Sequence, residues 1–335
     1  MKADRIDGPA AFDLPQWQTL LERDPHPHIF ATPQWGRLWW DHFGESKELR
    51  TLLFADGEAA ALASLVLDTT GEGRRLRFNG GDDLTDYMGP LVASEAVVKD
   101  VADSLLGSLL EDRDWDFFDA KCLPVPFHFA EWMVEAADRM DLVFKVRMDE
   151  MTAVLPLPGD YRDYLGALPG KKRHELRRKL RRFHEKAPAA QVRSAGDETI
   201  EEDLQAFVDM HRGSEGLKGK FMEPERAEFF LRVAHTFHPL GMLSLDFLEM
   251  DGRKLASTFS LRFNNVFYLY NSAYDHSFHE ISPGLVLVAK LIERSIGEGM
   301  DQFDFLRGRE RYKFDLGAQA LPLHSVTVYN PASPS

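Results

Sequence analysis

Between Asp304 and Phe314 a hydrophobic strand end runs into Arg307, Gly308, Glu310, Tyr312 and Lys313. Polar side chains clustered where a buried strand opens are typical of functional sites. Arg307 and Lys313 can hold a carboxylate or a phosphate, or stabilise an oxyanion. Tyr312 can give a proton to a leaving thiolate. The competing reading is an Arg–Glu–Lys surface network bracing a turn, a kind of pairing that contributes little stability.

Upstream, Ser282-Pro283-Gly284 reads as a helix start: a capping hydroxyl, proline at the first helical position, then a glycine that leaves the backbone open. A helix N-terminus presents free amide N–H groups and the positive end of the dipole, which suits a phosphate or pyrophosphate. A well-capped structural helix accounts for the segment equally well. Residues 171–186 hold nine Lys/Arg against Glu175 and Glu185, a local +7 in a chain of net charge −14. Three readings of this basic helix stay open. It is a solvated face over a seam of Leu176, Leu180 and Phe183, or a patch for an anionic partner such as CoA phosphates, tRNA or a sugar nucleotide, with Arg177 and Arg181 as contacts. The third, a membrane-surface helix, has only those three seam residues behind it. With Phe183 as its sole aromatic residue, the helix is ill suited to stacking bases.

Other signals exclude more than they assign. The net charge argues against a whole-surface nucleic-acid binder. Cys122 is the only cysteine, so no intrachain disulfide or Cys/His zinc site is expected, and it reads as a small buried side chain. His276 and His279 lack a carboxylate at metal spacing, so no metal is expected. No Gly-x-Ser-x-Gly elbow or Walker loop occurs. The longest apolar run, 59–67, falls far short of the ~20 residues of a membrane span, and the N-terminus carries no signal-peptide core. The cytoplasm is the expected compartment.

The elements that must position these residues are legible in outline. A chain of 335 residues, 44% hydrophobic, favours two domains. In the first half, Trp35, Leu38, Trp39 and Phe43 recur at helical spacing, and two apolar runs flank Asp56-Gly57 as a hairpin. Arg74–Phe78 follows as a strand. Ser94 then caps a helix with the stripe Val98, Val101, Ala102, Leu105 and Leu109, before an alternating strand over 114–119. The second half repeats this order: strand 242–250, turn Asp251-Gly252, strand 255–263, strand 266–272, a helix from Ser282 ended by Gly299, and strand 301–305. The two Asp-Gly turns are 195 residues apart, and Asp116-Phe117 precedes Gln302-Phe303 by 186. So ordered a series predicts two copies of one unit, with a boundary near residue 150 where Met151–Leu157 begins a fresh strand.

Ser-Pro-Gly at a helix start, Asp-Phe-Leu-Arg-Gly after it, then Glu-x-Tyr-Lys-Phe, resembles the C-terminal signature of the GNAT-superfamily acyltransferases. The nearest group is that of the CelD / BioF2-like acetyltransferases, related to the FemAB peptidyltransferases. The resemblance is strong over 282–317, moderate over 150–320, and looser in the first half, through Trp35-Gly36, the Asp-Gly hairpin and Thr85-Asp86-Tyr87. It implies an α/β (α+β) fold of tandem GNAT-like repeats, each a mixed, mostly antiparallel sheet flanked by helices. Residues 1–150 would be an N-terminal GNAT-like unit and 151–335 the acyltransferase unit. It implies transfer from acyl-CoA, a co-substrate and not a resident cofactor, to an amine of a small-molecule or cell-envelope precursor. The pantetheine arm would lie between two parting strands, beside Asn271 and Ser272, with the pyrophosphate at Ser282, Gly284 and Leu285. Lys313 matches the lysine that contacts the reacting substrates in Fem-like enzymes. Direct attack by the amine then makes Asp304 and Glu310 candidate bases, Arg307 and Lys313 candidate polarisers, and Tyr274 and Tyr312 candidate acids. Asp86 and Tyr87 are candidate acceptor contacts, though Asp86 also suits turn capping.

Two readings of different class follow. One is an N-acyltransferase, with aminoacyl-tRNA or an acyl carrier protein, met through 171–186, open as alternative donors. The other is a non-catalytic module that holds a polyanion on the basic helix. A tandem repeat supplies an internal pseudo-dimer, so the chain is expected to be a monomer or a dimer.

Overall fold

The computed structural model describes the whole chain other than Arg113, Glu215, Gly216, Pro334 and Ser335 and the side chains of Asp149, Leu217 and Lys218. The strands are β1 (Lys2–Asp7), β2 (Glu48–Asp56), β3 (Glu58–Thr70), β4 (Gly73–Phe78), β5 (Leu91–Val92), β6 (Phe117–Pro124), β7 (Phe144–Pro156), β8 (Gln191–Ser194), β9 (Leu243–Met250), β10 (Arg253–Phe263), β11 (Val266–Tyr274), β12 (Gln302–Arg307) and β13 (Gln319–Tyr329). They fall into two compact units, Met1–Met151 with Leu321–Ser335, and Thr152–Ala320.

In the first unit the strand order is β1-β2-β3-β4-β6-β13, with β5 beside β3. All pairs are antiparallel except β4 with β6. In the second the order is β8-β9-β10-β11-β12-β7, again antiparallel except β11 with β12. Position for position the two orders agree. The first unit takes its sixth strand from beyond the second unit's run of chain, and the second takes its own from the start of its run. The C-terminal strand β13, from Leu321 on, serves the first unit, and the 152–156 end of β7 serves the second.

Helices α1 (Pro15–Arg23), α2 (Pro33–Phe43), α3 (Val98–Glu111) and α4 (Phe129–Arg139) flank the first sheet. The amphipathic spacing places α2 as expected: Trp35, Leu38 and Trp39 are buried, and Thr32 caps it by accepting the Trp35 N–H. Ser94 does not cap α3. A single 3-10 turn over Glu95–Val97 intervenes, and the serine hydroxyl bonds no helix amide. Strand β6 begins at Phe117, three residues later than the alternation predicts, and is buried over most of its length, with α4 against it and an ion-pair lattice on the face of Asp119 and Lys121. In that lattice Arg75, Arg77 and Lys121 meet Asp68, Asp82 and Asp119, tying β3, β4 and β6 together.

The second unit carries α5 (Tyr161–Ala167), α6 (Gly170–Lys186), α7 (Ile200–Arg212), α8 (Leu217–Phe221), α9 (Pro224–Phe237), α10 (Pro283–Gly297) and α11 (Arg311–Asp315). One face of its sheet packs Phe267, Phe303 and Phe305 against Leu287, Leu291 and Ile292 of α10 and Leu176 and Phe183 of α6. Each such buried side chain is worth about 1.5–3 kcal/mol. The other face packs Phe259 and Tyr270 against Phe207 of α7 and Phe230 of α9. α10 ends as the sequence predicts. Gly299 takes φ 74°, its N–H bonds Ile296 O at 3.0 Å, and Met300 N–H bonds Ser295 O at 3.0 Å. This is the paired closure that favours glycine beyond a helix end.

Both fifth strands carry a one-residue bulge containing a non-glycine residue in the left-handed region, Cys122 with φ 54° and Leu306 with φ 57°. Matched by the first pair of each parallel ladder, Arg75–Phe117 and Val266–Gln302, these strands are 185 residues apart, one fewer than the sequence offset. Asp119 and Asp304 then occupy equivalent third positions in their strands. Among the described residues no helix is long and apolar enough to cross a membrane.

Candidate functional site

β11 and β12 pair only through Val266–Gln302, Phe267–Phe303 and Tyr268–Asp304. Beyond that point β11 runs on to Tyr274, and β12 turns out through its bulge. β11 bulges as well, at Tyr270, where its register against β10 shifts between Phe259–Asn271 and Ser260–Leu269. Two parallel strands that stop pairing leave backbone groups turned away from the sheet, and these must find other partners.

On β12 the partners are charged. Asp304 is buried, and its Oδ1 accepts the Leu306 N–H at 2.8 Å. Lys313, 3% exposed, donates its Nζ to Arg307 O at 2.6 Å and to Leu306 O at 3.4 Å, and pairs with Glu310 Oε2 at 3.0 Å. A carboxylate and an ammonium thus clamp the left-handed turn from both sides. A left-handed non-glycine conformation costs about 1–3 kcal/mol and persists where the surroundings over-determine it. Gly308, with φ 123°, completes the turn; a Cβ there would lie 2.2 Å from Glu310 Oε2 and 2.9 Å from Lys313 Nζ. Tyr312 is half-buried beside Phe305. Burial, and then the Glu310 carboxylate, push its hydroxyl pKa well above the usual tyrosine range.

α10 starts differently from the sequence expectation. Ser282 takes φ 54°, ψ 52°, and its hydroxyl caps no helix amide. The left-handed backbone follows from the 3-10 turn His276–Ile281 immediately before it. Val286 N–H bonds Ser282 O at 3.1 Å, and Pro283 has no N–H. The amides of Gly284 and Leu285 are therefore the ones left at the helix mouth without a side-chain cap. Tyr274 lies against Gly284, 3.4 Å from where a Cβ would stand, and stacks on His276 with ring centroids 4.6 Å apart.

Next to this helix mouth a groove of about 770 Å³ is lined by Lys171, His174, Glu175 and Lys179 of α6, Leu285 of α10, and Arg311, Tyr312 and Asp315 of α11. Glu175 is held by Arg178 at 2.7 Å, and Asp315 by Arg311 at 3.4 Å. The lining thus keeps an excess of cations over an apolar wall. Lys172, at its edge, is spent on Phe314 O at 2.7 Å. The structure thus brings Leu285 and Tyr312 to one groove. Ser282, Gly284 and Tyr274 stand at its helix mouth, and Asp304, Arg307, Glu310 and Lys313 form the adjoining turn. Arg177 and Arg181 are exposed on other faces of α6, Arg181 near Glu185 at 3.8 Å. Asp86 and Tyr87 are buried in the first unit.

The sequence reading missed the groove's own cations. Lys171, Glu175 and Lys179 recur every four residues, a spacing that marks one helix face. It also missed His211. This residue of α7, 1% exposed, meets Asn271 Oδ1 through Nε2 at 2.9 Å. That oxygen also accepts the Ser272 N–H at 2.8 Å, so the imidazole nitrogen is the donor. Asn271 and Ser272 are thereby fixed from the α7 side of the sheet, opposite the groove. No local pattern announces a pair sixty positions apart. Among the described residues no group of three or more His, Cys, Asp or Glu side chains forms a metal site.

Residues 170–314 match the acetyltransferase (GNAT) domain family. No curated protein matches the chain by sequence. Among solved structures, the chain is similar to FemX, with TM-score 0.68 at 11% identity over 98% of both chains. It is similar to the C-terminal domain of a putative lysylphosphatidylglycerol synthetase from Agrobacterium fabrum, with TM-score 0.58 at 12% identity over 97% of this chain and 93% of that one. It is also similar to a tandem GNAT protein from the clavulanic acid biosynthesis pathway, with TM-score 0.50 at 12% identity over the full length of both. Likeness at such identities is a likeness of fold, that of the tandem GNAT arrangement, and the stretch that matches the domain family lies in the second unit.

Proposed function

We propose that the protein is an N-acyltransferase of the CelD / BioF2-like kind, whose second unit receives an acyl-CoA, most simply acetyl-CoA, and passes the acyl group to an amine. The observation that carries this is the cation-lined groove meeting an uncapped helix start, beside two parallel strands that stop pairing. In this reading the phosphates lie against Lys171, Lys179 and Arg311 with the Gly284 and Leu285 amides. The pantetheine arm runs past Leu285 and Tyr312 to Asn271 and Ser272. The amine comes from the α7 side, where His211 holds Asn271.

The chemistry asks little of side chains. The amine nitrogen forms a bond to the thioester carbon while the carbon–sulfur bond breaks; its proton goes to Glu310, and the thiolate takes a proton from Tyr312. Arg307 and the clamped turn stabilise the oxyanion. Asp304 and Lys313, each committed to the turn, act by position.

Isothermal titration of the protein with acetyl-CoA, alongside desulfo-analogues and bulk tRNA, tests the donor. Saturable acetyl-CoA binding that is lost in Lys171→Ala/Lys179→Ala supports the reading, and its absence ends it. A second donor, aminoacyl-tRNA, is favoured by one feature: the outward basic face of α6 with Arg177, Arg178 and Arg181. Salt-sensitive tRNA binding that depends on those arginines would select it.

A further inference from the structure

The first unit holds a pocket that the transfer reaction does not use. It is a cavity of about 40 Å³ walled by Trp17, Phe30, Phe78 and Tyr87, with His28, Ser64 and Asn79 among its lining residues. Three of its polar atoms, His28 Nδ1, Ser64 Oγ and Asn79 Oδ1, are buried and have no hydrogen-bond partner among the described residues. A buried polar atom left unpaired is destabilising, so three around one cavity call for an occupant.

Their chemistry defines that occupant. Asn79 Nδ2 donates to Gly36 O at 3.0 Å, which turns Oδ1, a pure acceptor, toward the cavity. That approach depends on Gly36, where a Cβ would stand 3.2 Å from Asn79 Nδ2 and 2.8 Å from the Phe12 ring. Ser64 can donate or accept. His28 is neutral, because burial pushes its pKa down to about 3. Among the described residues no Lys, Arg, Asp or Glu lines this cavity. A carboxylate would find no cation and would face the Asn79 oxygen. An ammonium would find no anion. An uncharged group with two donors and an acceptor satisfies all three atoms, and flat aromatic walls suit a planar one. A water needs about 10–15 Å³ of such space, so the cavity takes about three heavy atoms.

We infer that this pocket is a binding site for a primary carboxamide, its two N–H groups donating to Asn79 Oδ1 and to His28 Nδ1, the acceptor nitrogen when the imidazole proton is on Nε2, and its C=O accepting from Ser64 Oγ–H. A secondary amide has one N–H and leaves one of the two acceptors unpaired.

The test is an NMR titration of the intact, uniformly ¹⁵N-labelled protein with acetamide, N-methylacetamide and sodium acetate, read at the Trp17 indole N–H. That proton donates to Ala31 O at 2.9 Å, at the pocket wall. Acetamide is expected to shift this signal saturably, while N-methylacetamide, one N–H short, binds more weakly and acetate does not. Ser64→Ala, which removes the unpaired hydroxyl, is expected to weaken acetamide binding about tenfold with no fall in melting temperature. No shift with acetamide, N-methylacetamide binding as tightly as acetamide, equal shifts with acetate, or undiminished binding to folded Ser64→Ala would overturn the assignment and leave the cavity to water.

Discussion

At the scale of single residues, the turn after β12 sorts the candidate side chains by what they are free to do. Lys313 is nearly inaccessible, and two carbonyls and a carboxylate already engage it. Lys313→Met keeps the volume but leaves those acceptors unpaired, so we expect a loss of about 1–3 kcal/mol in urea unfolding together with lost turnover. Tyr312 is the opposite case. Its hydroxyl is needed only for proton donation in the proposed step, so Tyr312→Phe should cut kcat about 100-fold or more with melting unchanged. Its raised pKa also fixes the pH behaviour. The folded protein binds this proton more tightly than the unfolded chain does. The associated stability is therefore complete below the ordinary tyrosine pKa of 10.0 and declines as pH rises above it. Tyr161 and Tyr164 of α5 are raised in the same sense by burial. Urea midpoints should be flat from neutrality to about pH 9 and fall beyond pH 10. Tyr164→Phe should lose about 1 kcal/mol at neutral pH, for its bond to Leu316 O at 2.9 Å, and soften the alkaline fall.

At the scale of elements, α6 shows what periodicity gives and where it stops. Its seam of Leu176, Leu180 and Phe183 follows from helical spacing, and Leu176 and Phe183 are buried. A cationic side chain can lie on either flank of such a seam, and local sequence does not say which flank faces another element. Lys171 and Lys179 line the groove, whereas Arg177 and Arg181 point elsewhere. We therefore expect Lys171→Ala/Lys179→Ala to raise the KM for acyl-CoA about tenfold or more, and Arg177→Ala/Arg181→Ala to leave it within about twofold, in steady-state assays at moderate salt. Equal effects of the two double variants would show that the groove is not the donor seat. The hairpins at Asp56-Gly57 and Asp251-Gly252 were legible because both glycines take positive φ, 79° and 75°, in two-strand turns. The Ser282 cap was not, because the preceding 3-10 turn, a feature of the fold and not of the serine, sets the backbone left-handed. The His211–Asn271 bond was closed to sequence reading for the same reason: tertiary structure alone brings α7 to β11.

At the scale of the whole molecule, the repeat was legible but its closure was not. Ordered turns and stripes reveal two copies of one unit, yet strand pairing is decided by which edge is open, and a strand does not carry its partner's address. The first unit is completed by a strand from beyond the second unit's run of chain, and this has a measurable consequence. All six tryptophans, Trp17, Trp35, Trp39, Trp40, Trp115 and Trp132, lie in the first unit. Residues 321–333 lie there too. Their strand buries Leu323, Val326 and Val328 at 1% exposure or less. Asn330 Nδ2 donates to Trp115 O at 2.7 Å. Removing the chain after Ala320 strips three buried apolar side chains, worth about 1.5–3 kcal/mol each, and opens β6 as an edge. Truncation there should therefore red-shift and broaden tryptophan emission, although the nearest tryptophan in sequence is far upstream, and should expose first-unit sites to limited proteolysis. If the truncated protein kept wild-type emission and became protease-sensitive only between residues 152 and 320, the C-terminal strand would belong to the second unit, and its closing of the first would be refuted.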